Sequence, residues 1–257
     1  MKPQLLFALL LAPLLFVSSC KDKQAQEDAL EELSDASDKL KNDYAKQLKE
    51  GGAAEHDPAA LDDLVNATKK LEASASGDEA KSIKVMRIFM ESVQTDSTNL
   101  ANAQGDLTAA LDYSQVKEAS DIDALSEKVK TYQKLNTGLM TKVKSGWLEE
   151  LNTNLDKEGV SATTKNLTIQ GFNTQMNPQK PHLITIREAD EQLCSAILKQ
   201  HQILKDSFGK WKWNASAGAP EFTDNKVIEL YNKEAHKMQD ANKKQIEAQR
   251  NLYQVSQ

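Results

Sequence analysis

The chain has 257 residues, of which 39% are hydrophobic, 27% charged and only 5% aromatic, enough for one large domain or two modest ones. Acidic side chains (38) outnumber basic ones (32), giving a balance of −6 that disfavours a nucleic-acid partner. Six prolines, with none between Ala59 and Asn177, are too few for the turn every roughly 8–12 residues of an all-β fold. Continuous Val/Ile-rich strand runs are also missing, which removes alternating βαβ units and leaves long helices with thin apolar seams.

Residues 1–19 read as a lipoprotein signal peptide. A basic N-terminus precedes a mostly apolar run from Leu5 to Phe16, shorter than the about 20 residues of a membrane-spanning helix. The run ends in Val17-Ser18-Ser19-Cys20, which resembles the bacterial lipobox, where the cysteine becomes the lipidated first residue. That resemblance implies palmitate-type acylation at Cys20 and anchorage of the mature chain, 20–257, in a bilayer. Several acyl chains make such anchoring stable. Lys21 follows the cysteine where Asp would favour inner-membrane retention by analogy with enterobacterial sorting, so the expected site is the outer membrane, facing the periplasm. With Cys20 lipidated, Cys194 has no partner for an intramolecular disulfide and reads as a small buried hydrophobe.

A first helix is expected over about Asp22–Glu50, with Leu30, Leu33, Ser37, Leu40, Tyr44 and Gln47 at heptad spacing. A connection near 51–57 ends in Asp57 as cap and Pro58 at the first position of a second helix, which Gly77 breaks. A third helix should run from Asp78 towards Ala119 and carry the middle of the core at Met86, Phe89, Met90 and Val93, with Lys84, Arg87, Glu91 and Thr95 as its polar stripe. Ser120-Asp121-Ile122-Asp123 looks like a capped restart, followed by a seam from Ile122 to Leu155 that Gly138 and Gly146 interrupt. Residues 159–181, rich in Thr, Asn and Gln, read as an irregular connection. A fifth helix is expected from His182 to Phe208, a loop over 209–222, and a last helix from Thr223 or Asp224 to Val255. The fold class expected is all-α, a single elongated antiparallel bundle with long coiled-coil-like helices.

No motif announces catalysis. His56, His182, His201 and His236 are scattered, none is preceded by Glu at the spacing of a bundle di-iron site, and no Cys-x-x-Cys-His is present for covalent haem. No Gly-x-Ser-x-Gly, His-Glu-x-x-His or phosphate-binding glycine loop occurs. No cofactor is therefore expected, and the enzyme classes are set aside. The one unusual surface candidate is the 209–222 loop, where Trp211, Trp213 and Phe222 crowd together among Lys210 and Lys212. These rings either pack over the end of the bundle or form a contact surface for lipid headgroups or glycan.

The same region carries a second resemblance. The order Trp213-Asn214-Ala215-Ser216, Glu221-Phe222-Thr223 and Leu230-Tyr231-Asn232-Lys233 resembles the end of an uncharacterised all-helical lipoprotein family of enterobacteria. The proline between Phe and Thr and the Glu before Tyr that are usual there are not found here. The likeness covers about 40 residues and implies no activity. The expected role is thus a membrane-anchored envelope lipoprotein acting non-enzymatically, as a structural or adaptor element for an envelope protein or peptidoglycan partner. A binding module that holds a hydrophobic ligand or haem between helices, with His201 as ligand, is the alternative. A membrane-acting helical toxin with Val160–Ile186 as inserting segment is a weaker one.

Overall fold

The computed structural model describes residues 23–49 and 58–255. Cys20 and the expected leader, Asp57 cap and 51–57 connection lie outside the described residues. Helices dominate: α1 (Lys23–Lys49), α2 (Pro58–Ser74), α3 (Gly77–Ala109), α4 (Ala119–Thr141), α5 (Trp147–Lys157), α6 (Ala162–Asp206) and α7 (Asn225–Gln254), with a hairpin of β1 (Trp211–Asn214) and β2 (Ala219–Phe222) between the last two. The all-α class is thereby confirmed.

Polar contacts across the seams fix an up-and-down order. Lys39 meets Asp63 and Lys70 meets Glu32, so α1 and α2 run antiparallel. Arg87 reaches Glu72 from α3 to α2, Lys142 and Lys128 reach Asp96 and Asp106 on α3, and Lys205 of α6 reaches Asp123 of α4. Gln245 of α7 donates to Asp190 of α6. The first helix also touches the last, where Tyr44 packs against Tyr253 with ring centroids 6.1 Å apart.

The core follows the seams. In α1 the buried set is Gln26, Ala29, Leu33, Ala36, Ser37, Leu40, Tyr44, Ala45 and Leu48; Leu30 is only half-buried, and the seam leaves through Leu48 and not Gln47. Met86, Phe89, Met90 and Val93 are buried as their spacing requires. Phe89 stands edge-on to both Trp147 (5.9 Å) and Phe172 (5.5 Å), an aromatic centre shared by α3, α5 and α6. Arg87 on the polar stripe is held between Glu72 (2.6 Å) and Glu91 (3.0 Å).

The seam of the fourth helix explains an irregularity inside it. Val129, Tyr132, Asn136 and Leu139 recur at steps of three and four, but Val143, Trp147, Leu151 and Leu155 continue at steps of four alone. Steps of four overrun the 3.6-residue period, so an unbroken α-helix would rotate these side chains off the core. A π turn at Lys142–Gly146 absorbs the excess and keeps Val143 and Trp147 inward, joining α4 to α5 as one rod.

Three expected boundaries are corrected. Residues 159–181 are not a connection: after a turn at Gly159 (φ +63), α6 runs unbroken for 45 residues with Pro178 and Pro181 inside it. Each proline removes a backbone donor, yet Phe172, Met176, Gln179, Leu183 and Ile186 keep heptad spacing through both, and their burial holds the helix together. Gln179 donates its amide to the Gln175 carbonyl (2.8 Å), adding a side-chain bond where the backbone ladder is thinned. The real break falls earlier than expected. α3 ends at Ala109, and the chain from Ala110 to Glu118 is a loop that enters α4 through a reciprocal Glu118–Asp121 capping box.

The 209–222 segment is likewise an ordered hairpin. Trp211 pairs with Phe222 and Trp213 with Pro220, which puts all four on one face, while Lys212 and Glu221 point to solvent. Asn214 Oδ1 accepts from the backbone of Ser216 and Ala217, and Gly218 turns the chain at φ +60, a conformation strained for any residue with a Cβ.

Candidate functional site

Three aromatic residues named from the sequence, Trp211, Trp213 and Phe222, are brought together by the hairpin over a small second core of Tyr113, Ile122 and Leu204. All three are half-buried. Trp211 donates its indole N–H to the Leu204 carbonyl (2.9 Å), pinning β1 to the end of α6. Phe222 leans on Tyr231 at the start of α7 (5.2 Å), and Trp213 meets Tyr113 edge-on (6.1 Å). The inner rim of the hairpin leaves a pocket of about 390 Å³ lined by Leu111, Tyr113, Trp213, Pro220, Tyr231 and Met238 among others. Leu111 and Tyr113 come from the Ala110–Glu118 loop, which the sequence pattern had merged into a helix.

Beneath the pocket, Tyr113 Oη is sealed from solvent beside the Tyr231 hydroxyl without a well-formed hydrogen bond. Burial pushes both phenols up, Tyr231 to about 12, so neither ionises near neutrality. His201 stands edge-on to Tyr113 (5.6 Å) and is 1% exposed. Burial lowers its basicity, so the ring is neutral. Its Nε2–H then donates to the Ala110 carbonyl (3.0 Å), while Nδ1 lies 3.0 Å from the Ser126 hydroxyl, whose one proton also meets the Ile122 carbonyl (2.8 Å). Both nitrogens thus have a polar neighbour, and the ring latches the Ala110–Glu118 loop to α6.

A buried polar network lies in the middle of α6. Asp190 accepts from Gln245 Nε2 (2.6 Å) and Tyr132 Oη (3.0 Å) and lies 3.1 Å from Arg187 Nη1. Asn136 donates to the Arg187 carbonyl (2.9 Å). Burial pushes the Asp190 carboxyl up, and Arg187, Gln245 and Tyr132 pull against it. These groups bond to one another across α4, α6 and α7, which is the work of an interhelical clamp, with Asn136 Oδ1 left without a partner among the described residues. Cys194, a turn further on, is free and fully buried, and burial pushes its thiol up and out of reactivity.

A larger groove of about 630 Å³ runs between α4, α6 and α7, bordered by Lys144, Glu188, Glu191, Lys199, Glu234 and Lys237. Its charges alternate in sign and bond to neighbours: Gln133 to Glu191, and Lys237 to Glu234 (2.6 Å). That is the pattern of a solvated helix seam. Among the described residues, no group of three or more His, Cys, Asp or Glu side chains could hold a metal ion, and no helix is long and apolar enough to cross a membrane. From Ala162 onwards the Val160–Ile186 segment belongs to α6, with Phe172, Met176, Leu183 and Ile186 buried in the core.

Fold and site together define an up-and-down helical bundle whose one end is closed by an aromatic hairpin over an uncharged pocket. A scan against protein-family models, a search of curated proteins and a search of solved structures return no match.

Proposed function

We propose that the chain is a lipid-anchored envelope protein of the outer membrane, a non-enzymatic adaptor whose helical body carries the hairpin end away from the bilayer towards a wall or protein partner. The observation that carries this reading is the leader ending at Cys20 directly ahead of α1, which starts at Lys23. Three residues of chain span at most about 10 Å, so an acylated Cys20 would hold the beginning of α1 at the membrane surface. Gln26 of α1 meets Glu79 of α3, and Asp78 and Ser82 of α3 meet Ser161, the cap of α6, and Thr168 within it. The starts of α1, α3 and α6 therefore share one end of the bundle. The hairpin follows the far end of α6, with His201 there bonded to Ala110 beyond the end of α3. A 33-residue α3 separates the two ends by about 50 Å. On this reading Trp211 and Trp213 face away from the anchoring leaflet, which favours a glycan or protein partner over lipid headgroups. The likeness of the Trp213–Lys233 stretch to enterobacterial lipoproteins adds support, since all of it lies in the hairpin and the start of α7. Labelled palmitate should appear on the wild-type chain and vanish in Cys20→Ala; label retained in that variant removes the anchor from the reading.

The pocket under the hairpin favours a second reading, a module that binds a small ligand there. His201, with a polar neighbour at each nitrogen, gives no support to haem as that ligand.

A further inference from the structure

The pocket beneath the hairpin has an unusual chemical balance for the surface of so highly charged a protein. No Asp, Glu, Lys, Arg or His lines it. Its walls combine the aromatic side chains of Tyr113, Trp213 and Tyr231 with Leu111 and Met238, and its rim carries the carboxamides of Gln239 and Asn242 on α7. Both amides are exposed, and neither has a hydrogen-bond partner among the described residues. The Trp213 indole N–H is also unpaired there, in contrast to that of Trp211.

Each feature narrows the ligand. An anion or cation would find no counter-charge in the lining. An acyl chain would fill the apolar wall but leave two carboxamides and an indole N–H without use. A sugar ring meets both demands, laying its C–H face on an aromatic ring while its hydroxyl and acetamido groups exchange hydrogen bonds with side-chain amides, which both donate and accept. The volume of about 390 Å³ is within the range of small-ligand sites, about 300–1,000 Å³.

We propose that this pocket is a glycan subsite for an uncharged acetamido sugar ring, with Trp213 as the stacking platform and Gln239 and Asn242 as its polar partners. The inference rests on the wall-facing adaptor reading and names the chemistry by which the membrane-distal end would grip a wall strand. Tyr113 and Tyr231 form the floor, and Trp211, bonded to Leu204, holds the hairpin that roofs it.

The test uses the full chain in a sugar-free zwitterionic detergent, titrated with the tetramer of β-linked N-acetylglucosamine by calorimetry and by tryptophan fluorescence. The expected result is saturable binding with a Kd in the millimolar range or tighter and a shift in the Trp213 emission. Trp213→Leu should abolish binding. Gln239→Ala with Asn242→Ala removes two exposed groups, leaves the thermal melt unchanged, and should weaken binding about tenfold or more. Absence of saturable heat from the wild type overturns the subsite, as does unchanged affinity in the double variant. Saturable uptake of the apolar dye N-phenyl-1-naphthylamine, unaffected by the tetramer, also overturns it by assigning the pocket to an apolar ligand. Sedimentation with purified sacculi separates this outcome from the broader reading. A chain that sediments with sacculi yet ignores the tetramer loses the subsite and keeps the adaptor role. A chain that binds the tetramer but takes no palmitate at Cys20 keeps the subsite and loses the anchor.

Discussion

Removing the Asp190 carboxylate should be among the most damaging single changes available in this bundle. Arg187 and Asp190 are each 1% exposed, and the carboxylate also accepts from Tyr132 and Gln245. Asp190→Ala leaves the guanidinium buried without this counter-charge and strips two buried donors of their acceptor. Breaking one side of a buried ion pair costs about 3–5 kcal/mol, and each stranded neutral donor adds about 1–3 kcal/mol when relaxation or water does not rescue it. These terms overlap, so the expected loss is about 4 kcal/mol, a large share of a typical total of about 5–15 kcal/mol. In a chain of this size that corresponds to a fall in Tm of about 8–16 °C. The companion variant replaces the whole network with apolar groups: Arg187→Met, Asp190→Leu, Tyr132→Phe and Gln245→Leu. Burying an ion pair carries a desolvation penalty that its attraction only partly repays, so this variant should be within about 1 kcal/mol of wild type or more stable. Urea unfolding followed by far-ultraviolet circular dichroism measures both. A loss below about 0.5 kcal/mol in Asp190→Ala, or a fourfold variant as unstable as the single one, would refute the reasoning.

Other changes probe separate features. Pro178 and Pro181 are exposed in the interior of α6, so replacing both with alanine restores two backbone donors without touching the core and should raise stability by about 2 kcal/mol or more, read as an increase in the urea midpoint. His201 has a lowered basicity in the fold, so the unfolded chain takes up its proton first; the stability this neutral ring supports is complete above about pH 6.5 and is lost as pH falls from there through the folded value. Thermal melts between neutral and mildly acidic pH should show this slope, and His201→Gln should flatten it; an unchanged slope in that variant would assign the acid sensitivity to other groups.

Most of the helical architecture was legible because seams are periodic. The Met86–Val93 core, the heptads of α1 and the break at Gly159 all follow from spacing. Residues 160–181 were misread because prolines and a Thr/Asn/Gln-rich surface outweighed a seam that was present throughout: Phe172, Met176, Gln179, Leu183, Ile186. The surface of a helix can take almost any polar residue, so composition there says little, whereas the buried register is constrained. The Ala110–Glu118 loop was missed for the opposite reason. Its residues include good helix formers, and its start is held by a latch from His201, 91 positions away in sequence. The hairpin offered only Gly218 and Asn214 as local signals. The candidate pocket was half legible: Trp213 was singled out by its crowding, but Leu111, Gln239 and Asn242 reach it through tertiary packing that no local pattern encodes.

The up-and-down order has a kinetic consequence. Each helix packs mainly on its neighbour in sequence, or on the next but one, so most contacts close short loops and the entropy lost before each reward is small. Such a chain can assemble progressively from its N-terminus as it becomes available. Tyr44 against Tyr253 is the conspicuous exception, joining α1 to a helix that emerges last. That contact should form at the end of folding, and weakening it should speed unfolding while leaving the folding rate nearly unchanged.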